Sequence, residues 1–123
     1  MPHLVFEATA DLARTIDFNK LLRTIHETFS ARGYAKIAVI RSRVFIPEFA
    51  LSGDDEREQF VICSMRTTVA RPAQMEEDMA QCIHDAIRDA IERGEFKGPW
   101  QCGVFREYVP VERFVKSSGT NAS

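Results

Sequence analysis

The sequence has no apolar run approaching the ~20 residues that a membrane-spanning helix needs. Its first residues also lack the basic-then-apolar pattern of a signal peptide. A cytoplasmic protein with no membrane partner is therefore expected. Charge of one sign is not in excess: the formal net charge is -2, too little for bulk electrostatics to draw in nucleic acid or an anionic membrane. Cysteine is scarce. Cys63, Cys82 and Cys102 are an odd set without CxxC spacing, which argues against a disulfide framework or zinc site and for reduced core thiols. His3, His26 and His84 are scattered without ligand spacing, so no metal is expected.

What remains is ordinary soluble-domain material, 123 residues with 45% apolar and 28% charged side chains. That length supports one domain with its own core. The expected domain covers residues 1–115, and Lys116 to Ser123 (Lys-Ser-Ser-Gly-Thr-Asn-Ala-Ser) reads as a tail, mobile unless a partner holds it.

In order, Pro2 to Ala8 is a short, imperfectly alternating run with strand character. Thr9 to Ile16 is a connector with weak turn signals. Asp17 can cap a helix through about Arg32, in which Phe18, Leu21, Leu22, Ile25 and Phe29 form one apolar stripe. His26 falls on the opposite face and is expected in solvent. Gly33 stands where a left-handed residue commonly ends a helix. A second strand is expected from about Lys36 to Ile46 and a third from Phe60 to about Thr68, with a charged loop at Ser52 to Glu58 between them. Pro72 fits the first position of a second helix. Met75, Met79, Cys82, Ile83, Ala86, Ile87, Ala90 and Ile91 give that helix the clearest amphipathic stripe in the chain, ended by Gly94. A turn follows at Lys97 to Gln101, then a fourth strand at Gly103 to Pro110.

Two features carry possible chemistry. Alternation along the second strand puts Ile37, Val39, Arg41, Arg43 and Phe45 on one face. Like charges about 7 Å apart on one strand face want an anion or acid between them. They could hold a bound carboxylate, or simply pair with surface acids. The other feature is Pro2. Loss of Met1 would make it a rigid secondary amine, and apolar surroundings lower an α-amino pKa from its usual ~8. Such an amine can act as general base near neutrality, although Met-Pro is also a common start without meaning.

The element order is strand-helix-strand twice. Pro2 and Phe60 lie 58 residues apart, and Gly33 and Gly94 lie 61 apart, as in two halves of similar plan. With both helices on one face of a sheet, the other face stays bare and calls for a partner chain.

Met1-Pro2-His3, Ile40-Arg41-Ser42-Arg43-Val44 and Arg71 after the third strand together resemble the 5-carboxymethyl-2-hydroxymuconate delta-isomerase family of the tautomerase superfamily. The likeness runs in layout from Pro2 to about Phe114, while the charged loop and the tail depart from the family pattern. The resemblance implies an α+β fold of tandem βαβ units, a four-stranded sheet with two helices on one face, assembled as a homotrimer with active sites near subunit contacts. It implies a cofactor-free isomerase acting on a small unsaturated 2-hydroxy di- or tricarboxylate. Pro2 would be the catalytic base, Arg41 and Arg71 would hold substrate carboxylates, and Arg43 would add either a substrate contact or an interface ion pair. The alternatives are a non-catalytic, small-acid-binding member of the same fold and a ferredoxin-like ligand-binding or dimerisation module, whose βαββαβ order is the same.

Overall fold

Pro2 has no amide hydrogen to give to a ladder, and strand β1 accordingly begins one residue later, at His3–Ala8. The computed structural model describes residues 1–122; of the expected tail, Ser123 lies outside them. A short helix α1 (Ala10–Ala13) occupies the expected connector and buries Leu12 and Ala13. Helix α2 (Phe18–Ala31) follows, capped by Asp17, whose carboxylate accepts the Lys20 N–H at 3.1 Å. Then come β2 (Arg41–Phe45), β3 (Gln59–Thr67), α3 (Ala73–Arg93) and β4 (Trp100–Tyr108).

The sheet order is β2-β1-β3-β4. β1 and β2 run parallel, β3 and β4 run parallel, and the two pairs meet antiparallel at β1 and β3. This excludes the ferredoxin-like alternative, in which a further strand would split β1 from β2; here His3 pairs directly with Arg41 and Glu7 with Phe45. Two intact βαβ units side by side form the sheet.

One face of it is covered. Leu4, Phe6 and Ala8 of β1 and Val61, Cys63 and Met65 of β3 are buried against Leu21, Ile25 and Phe29 of α2 and Met79, Ile83, Ile87 and Ile91 of α3. Each full burial of such a side chain stabilises by about 1.5–3 kcal/mol. Phe29 also meets the Tyr34 ring edge to face at 5.4 Å, a geometry the aromatic quadrupole favours. Burial raises the Cys63 thiol to about 12, so it is an unreactive core residue. Two glycines are needed for shape. Gly33 turns the chain out of α2 at φ 73°, and a Cβ on Gly94 would lie 3.0 Å from the Thr15 carbonyl.

The other face is open. Register places His3, Val5 and Glu7 of β1 beside Arg41, Arg43 and Phe45 of β2. Across β3 and β4 it places Phe60, Ile62, Ser64 and Arg66 beside Gln101, Gly103, Phe105 and Glu107. Phe45 is 55% and Phe105 63% exposed, and Phe49 in the loop after β2 is 86% exposed.

Four expectations need correction. The second strand starts at Arg41, not Lys36, and Ile37–Val39 form a 3-10 turn. The ladder opens with the Arg41 N–H donating to the Pro2 carbonyl at 3.0 Å; residues before Arg41 have no strand opposite them, so Ile37 and Val39 are not part of the bare face. Pro72 caps α3 from outside, its carbonyl accepting the Glu76 N–H. β4 starts at Trp100, because Gln59 and Val61 offer Trp100 and Cys102 ladder partners ahead of Gly103. His26 is half-buried, and its Nε2 lies 2.6 Å from the Ser42 hydroxyl of β2.

Candidate active site

The N-terminus is held where the two βαβ units meet. Pro2 is fully buried, its carbonyl tied to β2 through the Arg41 N–H. The Met1 ammonium donates to the Thr68 hydroxyl just past β3, at 3.3 Å. Its pKa lies below the ordinary α-amino value, first through burial, then through the positive charges of Arg71 and Lys116.

Arg71 reaches this place by the extended chain between β3 and α3. It is half-buried, and its guanidinium donates to the Val69 carbonyl at 3.0 Å and the Tyr34 carbonyl at 3.2 Å. Burial lowers its pKa, opposed by Glu76. A guanidinium remains charged under any working condition, and two of its N–H groups are already committed to carbonyls. It is thus a fixed cation beside the amine.

His3 joins the terminus to the arginine strand. Arg43 donates to His3 Nδ1 at 3.0 Å, which leaves the ring proton on Nε2, 3.3 Å from the Met1 sulfur. Burial lowers the His3 pKa, and Arg43, Arg41, Arg66 and the N-terminus lower it further. The imidazole is therefore neutral near pH 7. Arg41 is exposed, and its guanidinium turns back to the Ala38 carbonyl at 2.7 Å and the Ile40 carbonyl at 3.3 Å. Of the four residues expected at the site, Pro2 is buried at the terminus and Arg71 is close enough for its charge to act on the Met1 amine. Arg43 is linked to them through His3, and the Arg41 side chain is directed to its own turn.

Residues that reasoning from sequence passed over complete the surroundings. Thr68 holds the amine. After β4 the chain folds back: the Val109 N–H donates to the Thr67 carbonyl at 2.8 Å, residues Val111–Arg113 make a 3-10 turn, and Phe114 meets His3 edge-on at 6.4 Å. Only His3 carried a signal in the sequence, since period-2 alternation makes it the first of the outward residues of β1.

A concavity of about 860 Å³ lies elsewhere. It runs between α2 and α3 and is lined by residues such as Lys20, Thr28, Arg32, Cys82 and Asp85. Acids and bases alternate there and none of Pro2, Arg41, Arg43 or Arg71 lines it. The N-terminal amine with its lowered pKa and Arg71 both lie outside that concavity. Among the described residues no group of three or more His, Cys, Asp or Glu could hold a metal ion, and no helix is long and apolar enough to cross a membrane.

Comparison with known proteins defines the class. A crystal structure of a 5-carboxymethyl-2-hydroxymuconate isomerase from Deinococcus radiodurans R1 superposes with a TM-score of 0.81 at 19% identity, covering 96% of this chain and 90% of that one. A 5-carboxymethyl-2-hydroxymuconate delta-isomerase gives 0.71 at 14% identity, covering 97% and 89%. A fused 4-OT described as a symmetric trimer gives 0.63 at 10%, covering 88% and 85%. These three structures share the fold of this chain. The family model for 5-carboxymethyl-2-hydroxymuconate isomerase matches residues 2–96, and the chain belongs to that isomerase family. No curated protein sequence matches it.

The electrostatics at His3 can be read directly. Its NMR titration midpoint is expected below the ordinary value of about 6.5. In Arg43→Met it rises toward that value without reaching it, because burial remains the larger cause. A midpoint above 6.5 in the wild type, or no movement in the variant, contradicts the arrangement.

Proposed function

We propose that the chain, once Met1 is removed, is a cofactor-free tautomerase whose Pro2 amine moves a proton within a 2-hydroxymuconate-type dienol. The observation that carries this is the setting of the N-terminal amine: partly buried, held by Thr68, next to a fixed Arg71, with its pKa lowered. With Met1 attached, the Pro2 nitrogen is an amide and has no basic lone pair. Removal frees that lone pair and vacates the half-buried space beside His3 and Thr68 that Met1 fills. A substrate could meet the amine there.

The steps need no other reagent. The Pro2 nitrogen takes the proton of the 2-hydroxyl, the O–H electrons become the carbonyl π bond, and the diene shifts. The ammonium then returns the proton to carbon, giving a 2-oxo-enoate and the free amine. Arg71 would hold a carboxylate and favour charge developing on the oxygen side. Holding the diene against the amine supplies much of the rate by positioning. Neutral His3 adds no competing positive charge. Arg41 and Arg43 occupy positions on the open face of β2, with their guanidiniums on the Ala38 and Ile40 carbonyls and on His3, so carboxylate binding by them belongs to the assembled protein.

Assembly as a homotrimer through that face is part of the same reading. Exposed Phe45, Phe49 and Phe105 form the kind of apolar surface that a partner covers. The processed chain, 14.0 kDa before Met1 is lost, is expected to sediment at three times its mass, and a stable monomer would remove the interface argument.

The base is tested with three proteins on one dienol followed by ultraviolet absorbance. Processed protein should turn over. The Met1-retaining form should be inactive yet folded, and Pro2→Ala should keep a reduced rate from its less basic primary amine. Equal rates from all three would show that Pro2 is only the residue before a strand.

A further inference from the structure

His3 carries a hydrogen-bond donor without a strong acceptor, directed at the place that Met1 fills. A guanidinium has N–H groups and no acceptor, so the Arg43 N–H at 3.0 Å makes His3 Nδ1 the accepting nitrogen. In the neutral ring the proton then sits on Nε2. The partner of this N–H among the described residues is the Met1 sulfur at 3.3 Å, and a thioether is a weak acceptor. The ring is steadied further by Phe114, which meets it edge-on.

This imidazole is unsuited to trading protons. A second proton would have to go on Nδ1, against the Arg43 guanidinium, and would break the bond that Nδ1 accepts. Burial disfavours the charged ring, and Arg43, Arg41, Arg66 and the N-terminus disfavour it further. A ring kept neutral in this way is a donor, and the cation on its far nitrogen polarises the Nε2–H toward an acceptor. Such a group suits an oxygen on which negative charge develops. In the reaction proposed above, that oxygen is the 2-oxygen, which gives up its proton to the Pro2 amine. Loss of Met1 takes away the sulfur that Nε2–H now meets and opens the same space to a ligand oxygen. Arg71 has two of its N–H groups spent on the Val69 and Tyr34 carbonyls, which leaves it for the carboxylate and His3 for the oxygen beside it.

We propose that His3 is a second catalytic residue: its Nε2–H donates to the substrate's 2-oxygen, where negative charge develops, and the ring proton stays on Nε2 throughout. This rests on the terminus accepting a 2-oxygenated acid, as proposed above, but not on Pro2 being the base. Arg43 is a positioning residue here, since it fixes the tautomer through Nδ1.

The test uses processed protein. Long-range ¹H–¹⁵N NMR at pH 7 reads the His3 tautomer and is expected to show the proton on Nε2; a proton on Nδ1 overturns the proposal. Calorimetry then compares 2-oxoadipate with adipate, which differ at that one oxygen. Wild type is expected to bind 2-oxoadipate about tenfold more tightly, the scale of one hydrogen bond. His3→Phe should lose this difference and bind adipate as before. His3→Gln, whose amide nitrogen reaches about as far as Nε2, should keep part of it. In turnover of a dienol, His3→Phe should lower kcat about a hundredfold and change KM less, as loss of an oxyanion donor does. Equal binding of both acids by wild type, or an undiminished preference in His3→Phe, overturns the role of His3, and turnover in that case leaves the proline reading standing. A preference that depends on His3 in a protein without turnover would support the His3 contact and overturn the proline reading.

Discussion

The hydrogen bond from the Arg41 N–H to the Pro2 carbonyl is the contact on which the arrangement of this molecule turns. β1 is a central strand, flanked by β2 and β3, so its first residues cannot fray as a terminus usually does. Locking the Pro2 carbonyl to β2 fixes the proline ring against the core. The Met1 amine just before it is held by the Thr68 hydroxyl, where the charge of Arg71 acts on it. In the proposed reaction an amine held this way would lose little freedom, the form of preorganisation that positioning catalysis requires.

The charges follow from the same constraint. Two parallel βαβ units meeting antiparallel set the start of β1 beside the end of β3, and the chain leaving β3 carries Thr68 and Arg71. Parallel pairing of β3 with β4 returns the segment after β4 to the same end of the sheet, with Phe114 and Lys116. Cations accumulate there from three separate stretches of sequence. Burial first, and these positive charges second, lower the pKa values of the amine and of His3.

Much of this was legible beforehand because it depends on local periodicity. The stripes of α2 and α3, the Asp17 cap and the turn at Gly33 are short-range effects and stand as read, and the fold class and family follow from the paired βαβ order with the Met-Pro and Arg-Ser-Arg segments. The misplaced start of β2 has a non-local cause. Ile37 and Val39 have strand composition, but a strand needs an opposite number, and β1 offers none before His3. His26 was misjudged because a helical wheel knows the core and not the flank: α2 lies close enough to β2 for its side to meet Ser42. Thr68 and Phe114 were invisible for the same reason, being ordinary residues made special only by sheet register. His3 alone was within reach, through alternation along β1.

The central claim is that the N-terminal amine is tuned by its surroundings to be a usable base. A ¹⁵N NMR titration of the Pro2 nitrogen in processed, labelled protein measures this without any assumption about substrate. The amine that replaces Met1's enters the same desolvated, cationic surroundings. Its midpoint is therefore expected below the ordinary α-amino value of about 8, and lower in wild type than in Arg71→Ala. A midpoint at or above 8, unmoved by loss of Arg71, would contradict the account.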